Sequence, residues 1–230
     1  MATAHEPQCL STAQSGVGTE PKWLEWAKRL QTMAQNGLHY AHDHYDVARY
    51  QEIAEIAREM MACGAEVEIA RVRALFSNEI GHATPKVDVR VAAFREDPGG
   101  PEILLVREKG DGLWTLPGGW ADVGETPSSA AAREVLEESG FEVRITRLLA
   151  LYDRNRHGHP PHAFHIYKIF FEGEILRGHD AGSDGLETDA VDFFPATDLP
   201  LLSLGRVVPQ EIQRMFELHA AGSAISADFD

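Results

Sequence analysis

Glu134, Glu137 and Glu138 stand at i, i+3 and i+4 in a stretch, 127–139, whose pattern predicts a helix. At that spacing three carboxylates leave one helix face within reach of a common point. Neighbouring anions on a helix cost roughly a few tenths of a kcal/mol per pair, so a bound cation is the natural compensation. Hard carboxylate oxygens select Mg²⁺, with Mn²⁺ as a substitute. The glutamates lie in a denser segment, GWADVGETPSSAAAREVLEESGF (119–141), which sets five acidic residues against the single Arg133, a net charge of −4. The plain alternative for such a triplet is a solvated acidic face.

The elements that position these residues follow from turn and capping chemistry. Thr126 suits the N-cap, Pro127 the first helical position and Gly140 the C-terminal stop. Ahead of them, Gly118-Gly119 lets the backbone turn sharply and approach a ligand. Strands are expected around Val87–Val91, Ile103–Val106 and Leu113–Leu116 before the helix, and at 143–152, 164–171 and 190–194 after it; a closing helix runs from Pro209 to His219. Short mixed strands with one helix between and one after predict an α+β sandwich. Upstream, three-to-four spacing of Trp23, Leu24, Trp26, Ala27 and Leu30, then of Ile53, Ile56, Ala57, Met60 and Met61, predicts helices. Asn36-Gly37 is the expected stop of the first, and Gly64 punctuates the second before a third helical segment over 67–75. The expected organisation is a flexible tail over 1–20, a small all-helical domain over 21–80, an α+β domain over 85–222 and a C-terminal tail over 223–230.

Composition limits the function classes. The chain has 230 residues, 43% hydrophobic and 25% charged, as an ordinary globular protein does. Its 21 basic and 36 acidic residues sum to −15, which argues against an extended nucleic-acid surface. Two cysteines cannot supply a disulfide framework, MATAHEPQCL lacks the regions of a signal peptide, and no apolar run approaches the ~18 residues of a membrane span. A cytoplasmic protein without a membrane partner is expected.

The 119–141 segment resembles the Nudix box at every specified position: Gly119, Glu125, Arg133, Glu134, Val135, Glu137, Glu138, Gly140 and Phe141. The resemblance implies a Nudix α/β/α sandwich with a mixed sheet, and Mg²⁺-dependent attack of water on a nucleoside diphosphate linked to X. It also implies roles. Glu134, Glu137 and Glu138 with the Gly119 carbonyl would hold the metal, and Arg133 would orient Glu125. The general base is either Glu138 or Glu187 of the later Gly185-Leu186-Glu187-Thr188 loop. The segments 23–38 and 45–50 resemble the helical domain of a Nudix subgroup acting on X-linked nucleoside diphosphates, within which CDP-choline pyrophosphatases are most alike. That likeness implies CDP-choline hydrolysis to CMP and phosphocholine and a homodimer packed through the helical domain. Alternatives are ADP-ribose pyrophosphatase, an RNA 5′-end hydrolase, and a ligand-sensing module without catalysis.

Substrate contacts are sought among residues outside the box. Arg107 ends a strand before it and suits phosphate. Trp120 suits base stacking, although a core or rim Trp is commoner. Arg154, Arg156 and His162 lie in RNRHGHPPH, a polar loop that suits phosphate or a base edge, or simply solvent. The histidine clusters lack cysteines and zinc-ligand spacing, so structural zinc is not expected.

Overall fold

A computed structural model describes residues 20–178 and 187–230. All of the expected N-terminal tail except Glu20 lies outside them, as do Gly185 and Leu186. The chain divides into two compact units, one running to Pro85 and taking in Pro161–His165, the other made of Lys86–Pro160 and Ile166–Asp230.

The first unit is helical: α1 (Lys22–Tyr40), α2 (His44–Gly64) and α3 (Ile69–Leu75). Asp43 caps α2 by accepting from the amides of Tyr45 and Asp46. Helix α1 runs straight through Asn36-Gly37, contrary to the expected stop. The pair serves packing instead: a Cβ on Gly37 would sit 2.4 Å from the Tyr50 ring, and Asn36 Oδ1 accepts from the Ala83 amide at 2.7 Å. Gly64 does end α2. Its missing side chain makes room for Trp23. Leu24, Ala27, Met61, Ala62, Val72 and Phe76 form the core. Phe164, expected to open a strand, packs edge-on against Phe76 with ring centroids 5.2 Å apart. Cys63 is disulfide-bonded.

The second unit is built on β1 (Lys86–Asp97), β2 (Gly100–Glu108), β3 (Trp114–Thr115), β4 (Gly118–Trp120), β5 (Glu142–Asp153), β6 (Ile166–Arg177), β7 (Thr188–Pro195) and β8 (Asp228–Phe229). The strand path is β3-β2-β1-β6-β5-β8, with β4 on β1 and β7 on β2. β1 pairs with β6 in parallel and with β2 and β4 in antiparallel fashion, so the sheet is mixed. Alternate residues feed two cores. Val89, Val91, Leu104 and Phe171 pack with Ala130, Ala131 and Val135 of α4 (Pro127–Ser139). Ala92, Ile103, Leu105 and Phe170 pack with Ile212, Met215 and Leu218 of α5 (Pro209–Ala221). A helix on each face is the expected α/β/α sandwich. Residues 223–230 are not merely a tail, because β8 adds a parallel strand to β5, held by Tyr152 Oη donating to Asp228 and by the ion pair of Arg214 with Asp228. Among the described residues no helix is long and apolar enough to cross a membrane.

Candidate active site

Helix α4 begins as its sequence requires. Thr126 Oγ1 accepts from the Ser129 amide, Ser129 Oγ accepts from the Thr126 amide, and Gly140 closes the helix in the left-handed region at φ 75°. Its buried Ala130, Ala131 and Val135 face the sheet, which turns Glu134 and Glu138 toward β4.

Glu138 is buried, and its Oε2 accepts from the Gly118 amide at 2.8 Å. Burial pushes its carboxyl up to about 8, against the opposing pull of Arg90 and the Gly118 N–H. Its backbone carbonyl accepts from Thr188 Oγ1 at 2.7 Å, which ties the start of β7 to the helix. Glu134 lies beside Gly119, where an added Cβ would come 3.0 Å from Oε2. Burial raises its carboxyl too, with Arg133 opposing. Arg133 grips Glu125 with two parallel bonds, Nε to Oε1 at 3.0 Å and Nη2 to Oε2 at 2.9 Å. Its remaining Nη1 reaches both Glu134 and the exposed Glu137, each at 2.9 Å. The Arg133 bonds hold the Glu125 carboxyl below the usual carboxylate range.

The donors suit a hard divalent cation. Glu134 and Glu138 flank the Gly118-Gly119 backbone, Glu138 through the Gly118 amide and Glu134 against Gly119, where only a glycine leaves room for its carboxylate. The full set is not gathered, since among the described residues no three acidic, histidine or cysteine groups are poised round one point. Arg133 accounts for this, because it draws Glu137 and one oxygen of Glu134 to itself. Neither histidine cluster forms a metal site among the described residues. His159 is instead buried, bonded to Glu211 and to the Leu204 carbonyl, each at 2.8 Å.

Other expected site residues separate. Glu187 is exposed and immediately precedes β7; its carbonyl accepts from the Lys109 amide at 2.9 Å, and its charge acts on buried Glu108. Arg107 pairs with Asp189 at 2.7 Å near the face of Trp114. Trp120 is exposed at the end of β4, and Arg156 is exposed in the short 3₁₀ turn after β5. Arg154 departs from expectation. It is 3% exposed, and its guanidinium donates to the carbonyls of Pro160 and Gly205, so it braces the loop out of a substrate's reach. His162 belongs to the first unit, where its Nδ1 accepts from the Phe164 amide and it lines a cavity of about 660 Å³ with Trp23, Leu24, Met61, Arg71 and Leu75.

Buried charges behind β4 lie outside the residues expected from sequence. Arg90 is buried and bonds Asp88 at 2.9 Å and the Leu116 carbonyl at 3.0 Å. Glu108 is buried against Arg206 at 2.9 Å, and burial raises its carboxyl. The available signal was Asp88 and Arg90, opposite charges two apart on one strand face.

Two family models match the chain: a UDP-X-like N-terminal oligomerisation domain over residues 21–76 and the NUDIX domain over residues 85–215. A protein of Bacillus subtilis, YjhB, named as a candidate ADP-ribose pyrophosphatase, is 42% identical over 201 residues, which is 87% of this chain and 94% of that one. An ADP-ribose pyrophosphatase of Methanocaldococcus jannaschii is 34% identical over 44% of this chain and 59% of its own length. Among solved structures, an ADP-ribose pyrophosphatase of Streptococcus suis superposes with a TM-score of 0.56 at 36% identity, covering 64% of this chain and all of that one. A UDP-X diphosphatase covers 90% of this chain and 98% of its own, with a TM-score of 0.58 at 26% identity.

Proposed function

Because the chain belongs to the Nudix hydrolases and hydrolyses phosphorus anhydrides, we propose that its substrate is an ADP-ribose-class nucleoside diphosphate sugar, cleaved to AMP and ribose 5-phosphate. The likeness to YjhB over almost the whole of both chains carries this reading. It favours ADP-ribose over the CDP-choline expected from sequence. The complete Glu134, Glu137 and Glu138 set weighs against a ligand-sensing module.

Glu134, Glu137 and Glu138 with the Gly119 carbonyl would hold Mg²⁺. When bound, the cation neutralises diphosphate charge and polarises the phosphorus under attack. Arg133 would release Glu134 and Glu137 to the cation while its two bonds to Glu125 keep the guanidinium in place. Glu138 would be committed to the cation and to the Gly118 N–H. The exposed Glu187 is therefore the base that takes the proton from the attacking water. Arg107, once released from Asp189, and the exposed Arg156 are the cations proposed to meet the phosphates, and the exposed Trp120 the ring proposed to stack on the base.

The proposed assembly is a homodimer through the helical unit. Trp26, Met33 and Tyr40 recur every seven residues along α1 and are 51%, 55% and 63% exposed, an apolar stripe of coiled-coil spacing.

Product analysis over a nucleotide panel with Mg²⁺ tests the substrate. AMP from ADP-ribose, at a kcat/KM well above that for CDP-choline, is the expected result. CMP release as the faster reaction would restore the CDP-choline reading, and saturable binding without turnover would point to the sensor.

A further inference from the structure

Three ionised side chains lie buried behind the Gly118-Gly119 turn: Asp88 and Arg90 of β1, at 6% and 5% exposure, and Lys168 of β6, at 0%. Asp88 is the centre. It accepts from Arg90 Nε at 2.9 Å on one oxygen and from Lys168 Nζ at 2.5 Å on the other. Lys168 Nζ also donates to the Arg206 carbonyl at 2.7 Å, and Arg90 Nη1 to the Leu116 carbonyl at 3.0 Å. Removing three charges from water costs several kcal/mol per ion, roughly, and such groups are often replaceable by apolar ones without loss of stability. Stability alone is therefore a poor reason for the cluster.

Its placement suggests another. The β1–β4 ladder pairs Asp88 with Trp120, Val89 with Gly119 and Arg90 with Gly118, and the Val91 amide donates to the Pro117 carbonyl. Past Gly118 the ladder ends. There the Arg90 guanidinium takes hold of the Leu116 carbonyl and pulls electrostatically on Glu138. The segment so fixed carries the Gly118 amide, bonded to Glu138, and the Gly119 carbonyl.

We infer that Asp88 is a positioning residue for the catalytic cation. By holding Arg90 and Lys168 together it fixes the Leu116–Gly119 turn in the geometry that gathers Gly119 and Glu138. The inference rests on the box glutamates being the metal site. It adds three residues that never touch substrate, and groups that orient metal ligands commonly contribute 10–100-fold in affinity or activity, roughly.

The test uses the full chain and Mn²⁺ binding followed by electron paramagnetic resonance without substrate, alongside kcat and KM for the fastest substrate of the nucleotide panel. Asp88→Asn preserves shape but releases both cations, and the double change Asp88→Leu, Lys168→Met removes an ion pair together. Both are expected to weaken Mn²⁺ binding about tenfold and lower kcat about tenfold or more. KM and the metal-free melting temperature should change little in at least one of them. Wild-type Mn²⁺ affinity and kcat in either folded variant would overturn the inference, as would loss of the fold in both, which would make the cluster purely structural. If the wild-type chain itself fails to bind Mn²⁺, the box reading falls and takes this inference with it. Unchanged variants beside a binding wild type sink the inference alone.

Discussion

The Gly118 amide donates to Glu138 Oε2 at 2.8 Å, joining the glycine turn to the carboxylate helix across twenty residues of sequence. Gly118 has φ +143°, and a Cβ there would stand 2.0 Å from the Val89 carbonyl oxygen. Both the turn and the β1–β4 contact therefore depend on a missing side chain. Gly118→Ala is expected to lower stability by about 3 kcal/mol. Denaturant unfolding measures this, and a change under about 0.5 kcal/mol, the range of neutral surface substitutions, would contradict the close approach.

The buried Glu138 makes metal-free stability depend on pH. Its folded carboxyl is raised from 4.5 to about 8, so between those values the folded state keeps a proton that the unfolded state has lost. Stability from this group is present below about pH 4.5 and is lost as pH rises through 8, with a slope of at most about 1.4 kcal/mol per pH unit. Glu138→Gln should flatten that slope and reduce kcat ~10²-fold or more. Added Mg²⁺ should raise the melting temperature more at pH 8 than at pH 5.5. Parallel pH–stability curves for the wild type and Glu138→Gln would show that Glu138 is not the titrating group.

How much of this was legible in the sequence depends on how locally each feature is encoded. The α4 caps, the Arg133–Glu125 pair and the Glu134/Glu138 face lie within 23 residues, and the helix period carries them directly into space. Arg154 is not legible locally, because a cation in a polar loop resembles a phosphate ligand and its partner, the Gly205 carbonyl, is 51 residues away. Asp88 and Arg90 read as the polar half of an alternating strand. Only Lys168, 80 residues later on the neighbouring strand, makes that face a buried one. Asn36-Gly37 carries a stop signal that tertiary packing of Tyr50 overrides.

Arg133 and Glu125 should behave as a unit. Glu125→Gln, Arg133→Lys and the double variant form a cycle in which each single change loses the two-pronged pair. Both groups are partly exposed, so the coupling in stability should be modest, about 1 kcal/mol or less. In kcat, each single change should cost ~10-fold, and the double variant little more than the worse single. Fully additive effects on kcat would mean that Glu125 does not act through Arg133.

Met33 tests the assembly. A glutamate at the middle of the Trp26–Met33–Tyr40 stripe would bring like charges together across a two-fold contact, while on an exposed helix face it leaves the fold of one chain undisturbed. Met33→Glu is expected to convert the proposed dimer to a monomer in size-exclusion chromatography with light scattering, with unchanged helical content. A dimer of wild-type stability would move the interface off this stripe.

Glu187 is the base proposed to take the proton from the attacking water. The residue is exposed and immediately precedes β7, whose first residue, Thr188, is bonded to the Glu138 carbonyl, so it is carried on the same scaffold as the box without being spent on it. Glu187→Gln keeps the size and removes the base. With saturating Mg²⁺, kcat should fall ~10²-fold or more while KM stays within about twofold. Mn²⁺ affinity should not change, which separates a lost base from a lost ligand. Unaltered turnover would remove Glu187 from the mechanism and return the proton to Glu138.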